Sequence, residues 1–104
     1  MAKLSGGGKN DGQTVAGSTQ ATAIPASAEH VQIATATANQ GIILKPGNTM
    51  DMRTVGNASG ASIRVYPPVG ASFNGLAANV HVTLAANTAG LFVFIESTKI
   101  NAVV

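Results

Sequence analysis

Few residues in this chain have any capacity for chemistry. Two imidazoles (His30 and His81), four acids, six bases and one tyrosine make up the titratable set, and cysteine is absent. A zinc site needs three or four ligands at short spacing, and no HxH, HxxxH or carboxylate cluster supplies them. His81 alternates with Val80 and Val82, as a solvent-facing polar residue on a strand would. Asp11 and Asp51 lie in no recognisable triad context, and no serine sits in a GxSxG elbow. Gly6, Gly7, Gly8 and Lys9 approach a phosphate loop. GxxxxGK[ST], however, would need glycine where Lys3 stands and Ser or Thr where Asn10 stands, with a strand in front. The dinucleotide pattern GxGxxG between strand and helix is also missing. Asn57, Ala58 and Ser59 form a glycosylation sequon that reads as turn sequence. The residue inventory therefore predicts a protein that is not an enzyme and takes no cofactor, metal or small-molecule substrate.

A chain of 104 residues fits one domain. Its apolar residues are unevenly placed: of Leu, Ile, Val and Phe, only Leu4, Val15 and Ile24 fall in the first 30 positions. The segment SGGGKNDGQTVAGSTQ (5–20) has too little to bury to offset the entropy of ordering. Residues 1–28 thus read as a flexible Gly/Ser/Ala-rich arm and residues 29–104 as the folded module. Charged residues make up 10% of the chain, against about 25% in ordinary soluble domains. Small neutral side chains take their place, and these are buried at interfaces without the desolvation cost of ions. The six bases are scattered, so a nucleic-acid face is not indicated. No apolar run of membrane-spanning length and no leader-like segment is present, which predicts no membrane partner.

Val31, Ile33, Thr35 and Thr37 recur with period two and mark a strand over 30–38. Ile42–Leu44, Met50–Val55, Ser62–Tyr66, Val80–Leu84, Leu91–Ile95 and Ile100–Val104 follow, separated by turn residues. In Met50–Val55 the two methionines are expected to face inward and Asp51 and Arg53 outward. That strand is expected to form a hairpin with the next, in which Ile63 and Val65 point inward. Asn74–Gly75 fits a tight turn with positive φ, pinned by Phe73 and Leu76. The expected fold is all-β, a small antiparallel β-sandwich or barrel of about seven strands.

Three groups are candidates for contacts. Asp51 and Arg53 pair across the pleat with Arg64 near enough to join them, as a solvated face or as a polar contact to a neighbouring subunit. The strand LFVFI (91–95) is apolar on both faces. If Leu91, Val93 and Ile95 fill the core, Phe92 and Phe94 either complete a two-sided central strand or meet a second subunit. In the arm, Lys3, Leu4, Lys9 and Val15 are candidates for anchoring.

The stretch SIRVYPPVGASFNGLAAN (62–79), followed by VTLAANTAGLFVF and a closing strand, resembles small virion proteins of tailed bacteriophages. Such proteins carry a VYPP segment, a GA(S/T)-hydrophobe-NG turn and a late hairpin. The resemblance covers the C-terminal half of the chain. It implies a virion protein assembled in the host cytoplasm: a decoration or cement subunit, commonly trimeric, bound over the major capsid protein and clasping the shell with its N-terminal segment. Within that class the alternative is a head-fibre or spike base, or a tail or neck component. From another class, the alternative is a receptor- or glycan-binding β module, although one tyrosine and no tryptophan make a poor sugar platform.

Overall fold

The computed structural model describes residues 8–104, and all regular structure among them is β. Ten strands are formed: β1 (Lys9–Asn10), β2 (Ile24–Pro25), β3 (His30–Ile33), β4 (Gly41–Ile43), β5 (Met52–Asn57), β6 (Ile63–Tyr66), β7 (Ser72–Phe73), β8 (Val82–Leu84), β9 (Thr88–Glu96) and β10 (Lys99–Val103). They build two sheets, one ordered β1-β3-β5-β9-β10-β7 and the other β2-β4-β6-β8. From β1 to β6 the chain alternates between the sheets, and each strand lies parallel to the one laid down a coil earlier. Lys9, His30 and Thr54 stack in one sheet, and Ile24, Ile42 and Val65 in the other. The direction then reverses. β8 runs antiparallel to β6, β9 to β5 and β10 to β9, while β7 flanks β10 in parallel.

The result is a solenoid-like stack of coils closed by antiparallel strands, which corrects the seven-strand antiparallel sandwich. All seven expected strands have a counterpart, although the first ends at Ile33 and leaves Thr35 and Thr37 outside it, and the pairing differs. β5 and β6 do not form a hairpin: they lie in different sheets, and GNASGA (56–61) is the corner between them. A single coil cannot bury its own apolar face, so stacking on the next coil supplies the core.

Stacking also explains the N-terminal segment. Residues 8–28 are not an arm but the first coil, with Val15, Ala23, Ala26 and Ala28 buried beneath the second. Such a coil needs few large side chains because backbone bonds to its neighbour order it. Gln13 donates to the Gln32 carbonyl at 3.1 Å, and Ala16 and Gly41 exchange bonds of 3.2 and 3.1 Å. The Arg64 guanidinium and the Tyr66 hydroxyl both donate to the Ser18 carbonyl, at 2.6 and 2.8 Å. Gly17 turns the chain at φ 65°, where a Cβ would strike Thr22. Gly17→Ala is therefore expected to destabilise the fold by about 2 kcal/mol, read as a lower urea midpoint with an unchanged slope.

The core is centred on Phe73, Phe92 and Phe94 with Ile33, Ile42, Val55, Ile63, Val65 and Leu84, all wholly buried. Phe73 and Phe92 meet with ring centroids 5.4 Å apart. Ile63 and Val65 point inward as expected. β5 has the opposite phase: Arg53, Val55 and Asn57 face the core side while Met52, Thr54 and Gly56 face outward. Met50 lies before the strand at φ 69° and is 71% exposed. Arg53 tolerates burial because its guanidinium has partners. It donates to the carbonyls of Lys45 (3.0 Å), Met52 (2.9 Å) and Pro46 (2.7 Å) and lies 5.3 Å from the Phe94 ring centroid.

Candidate interaction surface

The longest strand, β9, runs between β5 and β10 in the middle of the six-stranded sheet. Side chains alternate along it. Gly90, Phe92 and Phe94 are buried, whereas Leu91 and Val93 are half-buried and Ile95 is exposed on the opposite face. The register extends that outward set sideways, because residues directly opposite in a ladder share a face. Val93 lies between Met52 and Asn101, and Leu91 lies between Thr54 and Val103. Met52, Leu91, Val93, Ile95 and Val103 therefore form a strip without a charged group, and Ile95 and Val103 are 47% and 66% exposed. Polar groups begin at its margins, with the hydrogen bond of 2.9 Å between His30 Nδ1 and Thr54 Oγ1 towards the β1 edge. Lys99 and Glu96 face each other at the β9–β10 turn.

Size decides what such a strip can do. Three of its five side chains, Met52, Leu91 and Val93, are half-buried, so the strip is no larger than the apolar patches of about 300–600 Å² that monomers commonly expose. A stable two-body interface needs about 800 Å² per partner. At ~25 cal/mol per Å² the strip contributes to association without sustaining a tight pair alone, and it becomes effective where many copies act together.

The structure redistributes the sequence-predicted contact residues. Phe92 and Phe94 are wholly enclosed by their own chain and are not a subunit interface; their bulk takes the core, and the outward face falls to the set expected inside. Arg53 and Asp51 do pair, at 3.9 Å, but Arg53 is 6% exposed and cannot offer its charge to a neighbour. Arg64 is in the other sheet, bound to Ser18, and does not join them. Val15 is buried in the first coil and is not available for anchoring. Lys9 is accessible and pairs with Asp11 at 3.4 Å, with both side chains about three-quarters exposed, a contact of little energetic worth. Lys3 and Leu4 lie outside the described residues.

Among the described residues no group of three or more His, Cys, Asp or Glu side chains comes together. An open groove of about 570 Å³ is lined by Pro25, Ile43, Pro46, Pro68 and Val69, with Lys45 at its rim. Lys45 is held 3.7 Å from Glu29. On the four-stranded sheet, His81 packs against Tyr66 with ring centroids 5.2 Å apart. Burial there, with Arg64 nearby, lowers the His81 pKa. A depressed histidine binds fewer protons folded than unfolded, so the stability it contributes is present at neutral pH and lost as pH falls below the unfolded value of about 6.5. The urea midpoint is expected to fall between about pH 7.5 and 5.5, and His81→Gln to flatten that decline. Glu29, whose pKa is lowered by backbone hydrogen bonds from its own amide and from Gly8, acts only at more acidic pH.

No family model matches the chain, and no curated protein or solved structure matches it.

Proposed function

We propose that this chain is a structural virion subunit without catalytic activity, a decoration or cement protein that binds the outer surface of a phage head, contacting the major capsid protein and copies of itself. The single observation that carries the reading is the uncharged outward strip of Met52, Leu91, Val93, Ile95 and Val103, on a chain with only ten charged side chains. A surface of this kind supports repeated, individually weak contacts, as a covering protein present in many copies requires. The resemblance of residues 62–79 and the late hairpin to small phage virion proteins supports the same class. A homotrimer is the oligomer that this resemblance implies.

The test is the oligomeric state by multi-angle light scattering together with binding to empty phage shells. Wild-type chain is expected to self-associate and bind. The double variant Val93→Asp, Ile95→Asp is expected to remain monomeric and unbound with an unchanged β-type circular dichroism spectrum. A wild-type protein that is strictly monomeric at high concentration and does not bind shells overturns the proposal.

A second reading, the base of a head fibre or spike, is favoured by one observation. Parallel coils stack along an axis, and the strands of the first coil, β1 and β2, lie at the edges of their sheets, where another coil can be added. Copy number per particle separates the two, a handful indicating a fibre or vertex component.

A further inference from the structure

After β7 the chain turns at Asn74–Gly75, with φ of 47° and 82°. Both residues are exposed, and apart from its chain neighbours nothing lies within 4 Å of where a side chain on Gly75 would begin. The Asn74 side chain is nonetheless fixed. Its Nδ2 donates to the Ala102 carbonyl at 2.9 Å, and its Oδ1 accepts from the Ala102 amide at 2.8 Å. The backbone pairing of β7 with β10 ends one residue earlier, at Phe73 and Ile100. Beyond that point the Asn74 side chain takes the place of a neighbouring strand on this edge of β10, whose other edge stays paired with β9 through Val103.

Of the eight asparagines in the chain, Asn74 alone is followed by glycine. A glycine at that position leaves its backbone nitrogen unshielded. The Gly75 nitrogen attacks Asn74 Cγ, the new N–Cγ bond closes a succinimide, and the Cγ–Nδ2 bond breaks. Ammonia leaves carrying the proton given up by the Gly75 amide. Water then opens the ring at one carbonyl or the other, giving aspartate or isoaspartate. Water is consumed and ammonia released, with no change of oxidation state. The product can no longer donate to Ala102: a carboxylate oxygen faces the Ala102 carbonyl where an N–H donor stood, and two acceptors repel.

We propose that Asn74–Gly75 is a self-modification site, and that its deamidation irreversibly unlatches the β7-side edge of the C-terminal strand at Ala102. In the latched form the side chain is held against Ala102, so the reaction proceeds while the latch is open. Val103, one residue beyond the latch, stands opposite Leu91, so release loosens one flank of the outward face. The chemistry itself does not depend on the function proposed above.

Folded protein incubated at mildly alkaline pH, followed by peptide mass spectrometry and by hydrogen exchange of the β10 amides, tests this. Asn74 is expected to convert ahead of the other seven asparagines, and the converted fraction to exchange its β10 amides several-fold faster. Ala102→Pro removes one latch bond and is expected to hasten conversion, while Asn74→Asp is expected to reproduce the faster exchange without incubation. Conversion of Asn74 no faster than that of Asn48 or Asn101, or conversion that leaves β10 exchange unchanged, overturns the proposal.

Discussion

Asn57→Ala is expected to cost about 4 kcal/mol and to lower the melting temperature by about 20 °C, a large part of the roughly 5–15 kcal/mol that holds an ordinary domain together. Asn57 is 1% exposed at the corner where the chain leaves β5. Its Nδ2 donates to the carbonyls of Ala61, Leu84 and Ala85 at 2.8, 3.1 and 3.1 Å. Its Oδ1 accepts from the Ser59 amide and hydroxyl at 3.1 and 2.6 Å. One side chain thus joins the 57–61 corner to the end of β8. Alanine would orphan several of these groups together, and it is the orphaned group, more than the lost bond, that is costly. Aspartate is expected to fare worse than alanine, because a buried carboxylate would face three carbonyls. Thermal melting of wild type, Asn57→Ala and Asn57→Ser checks the order; equal stability of all three would remove Asn57 from its role as corner organiser. The same burial makes the sequon at Asn57 unusable in the folded chain.

Phe92→Ala and Leu91→Ala are adjacent substitutions with opposite expected results. Phe92 is wholly buried and packed at a tilt against Phe73, and its removal is expected to cost about 3–5 kcal/mol through lost burial and the cavity left behind. Leu91 faces outward and is half-buried, so truncation is expected to cost about 1 kcal/mol or less in folding while weakening self-association. Chemical denaturation alongside sedimentation velocity separates the two effects. A larger folding loss for Leu91 than for Phe92 would mean that the two faces of β9 are reversed.

Local sequence pattern was enough for seven of the ten strands but not for their partners. Val31 and Ile33, and Ile63 and Val65, alternate cleanly against polar or small neighbours, so both their strands and their inward faces were legible. β1, β2 and β7 are two residues each, too short for any period to show. Parallel coils were invisible because a turn such as GNASGA serves a hairpin and an inter-sheet corner equally well. The first coil was hidden for a related reason: its order comes from backbone bonds to Gln32 and Gly41 and from Arg64 and Tyr66 reaching Ser18, not from apolar side chains of its own.

The phases of β5 and β9 differ from those the sequence suggests for different reasons. In β5 a charged residue usually marks the wet face, but Arg53 meets three carbonyls and an aromatic ring inside. In β9 both faces are apolar, so alternation alone does not choose between them. Side-chain bulk was the available signal: phenylalanine has the most surface to bury, which leaves Leu91, Val93 and Ile95 outward. The sequence reading offers Phe92 and Phe94 for an outward contact, and the structure encloses both in the core.

The most direct test of the proposed role is incorporation into particles. Virions would be purified from cells producing either wild-type chain or the Val93→Asp, Ile95→Asp variant, and the chain quantified against the major capsid protein by mass spectrometry. The account predicts wild-type chain at a copy number comparable with the capsid protein, and the folded variant absent from particles. Absence of the wild-type chain, or incorporation of the variant at the wild-type level, would contradict it.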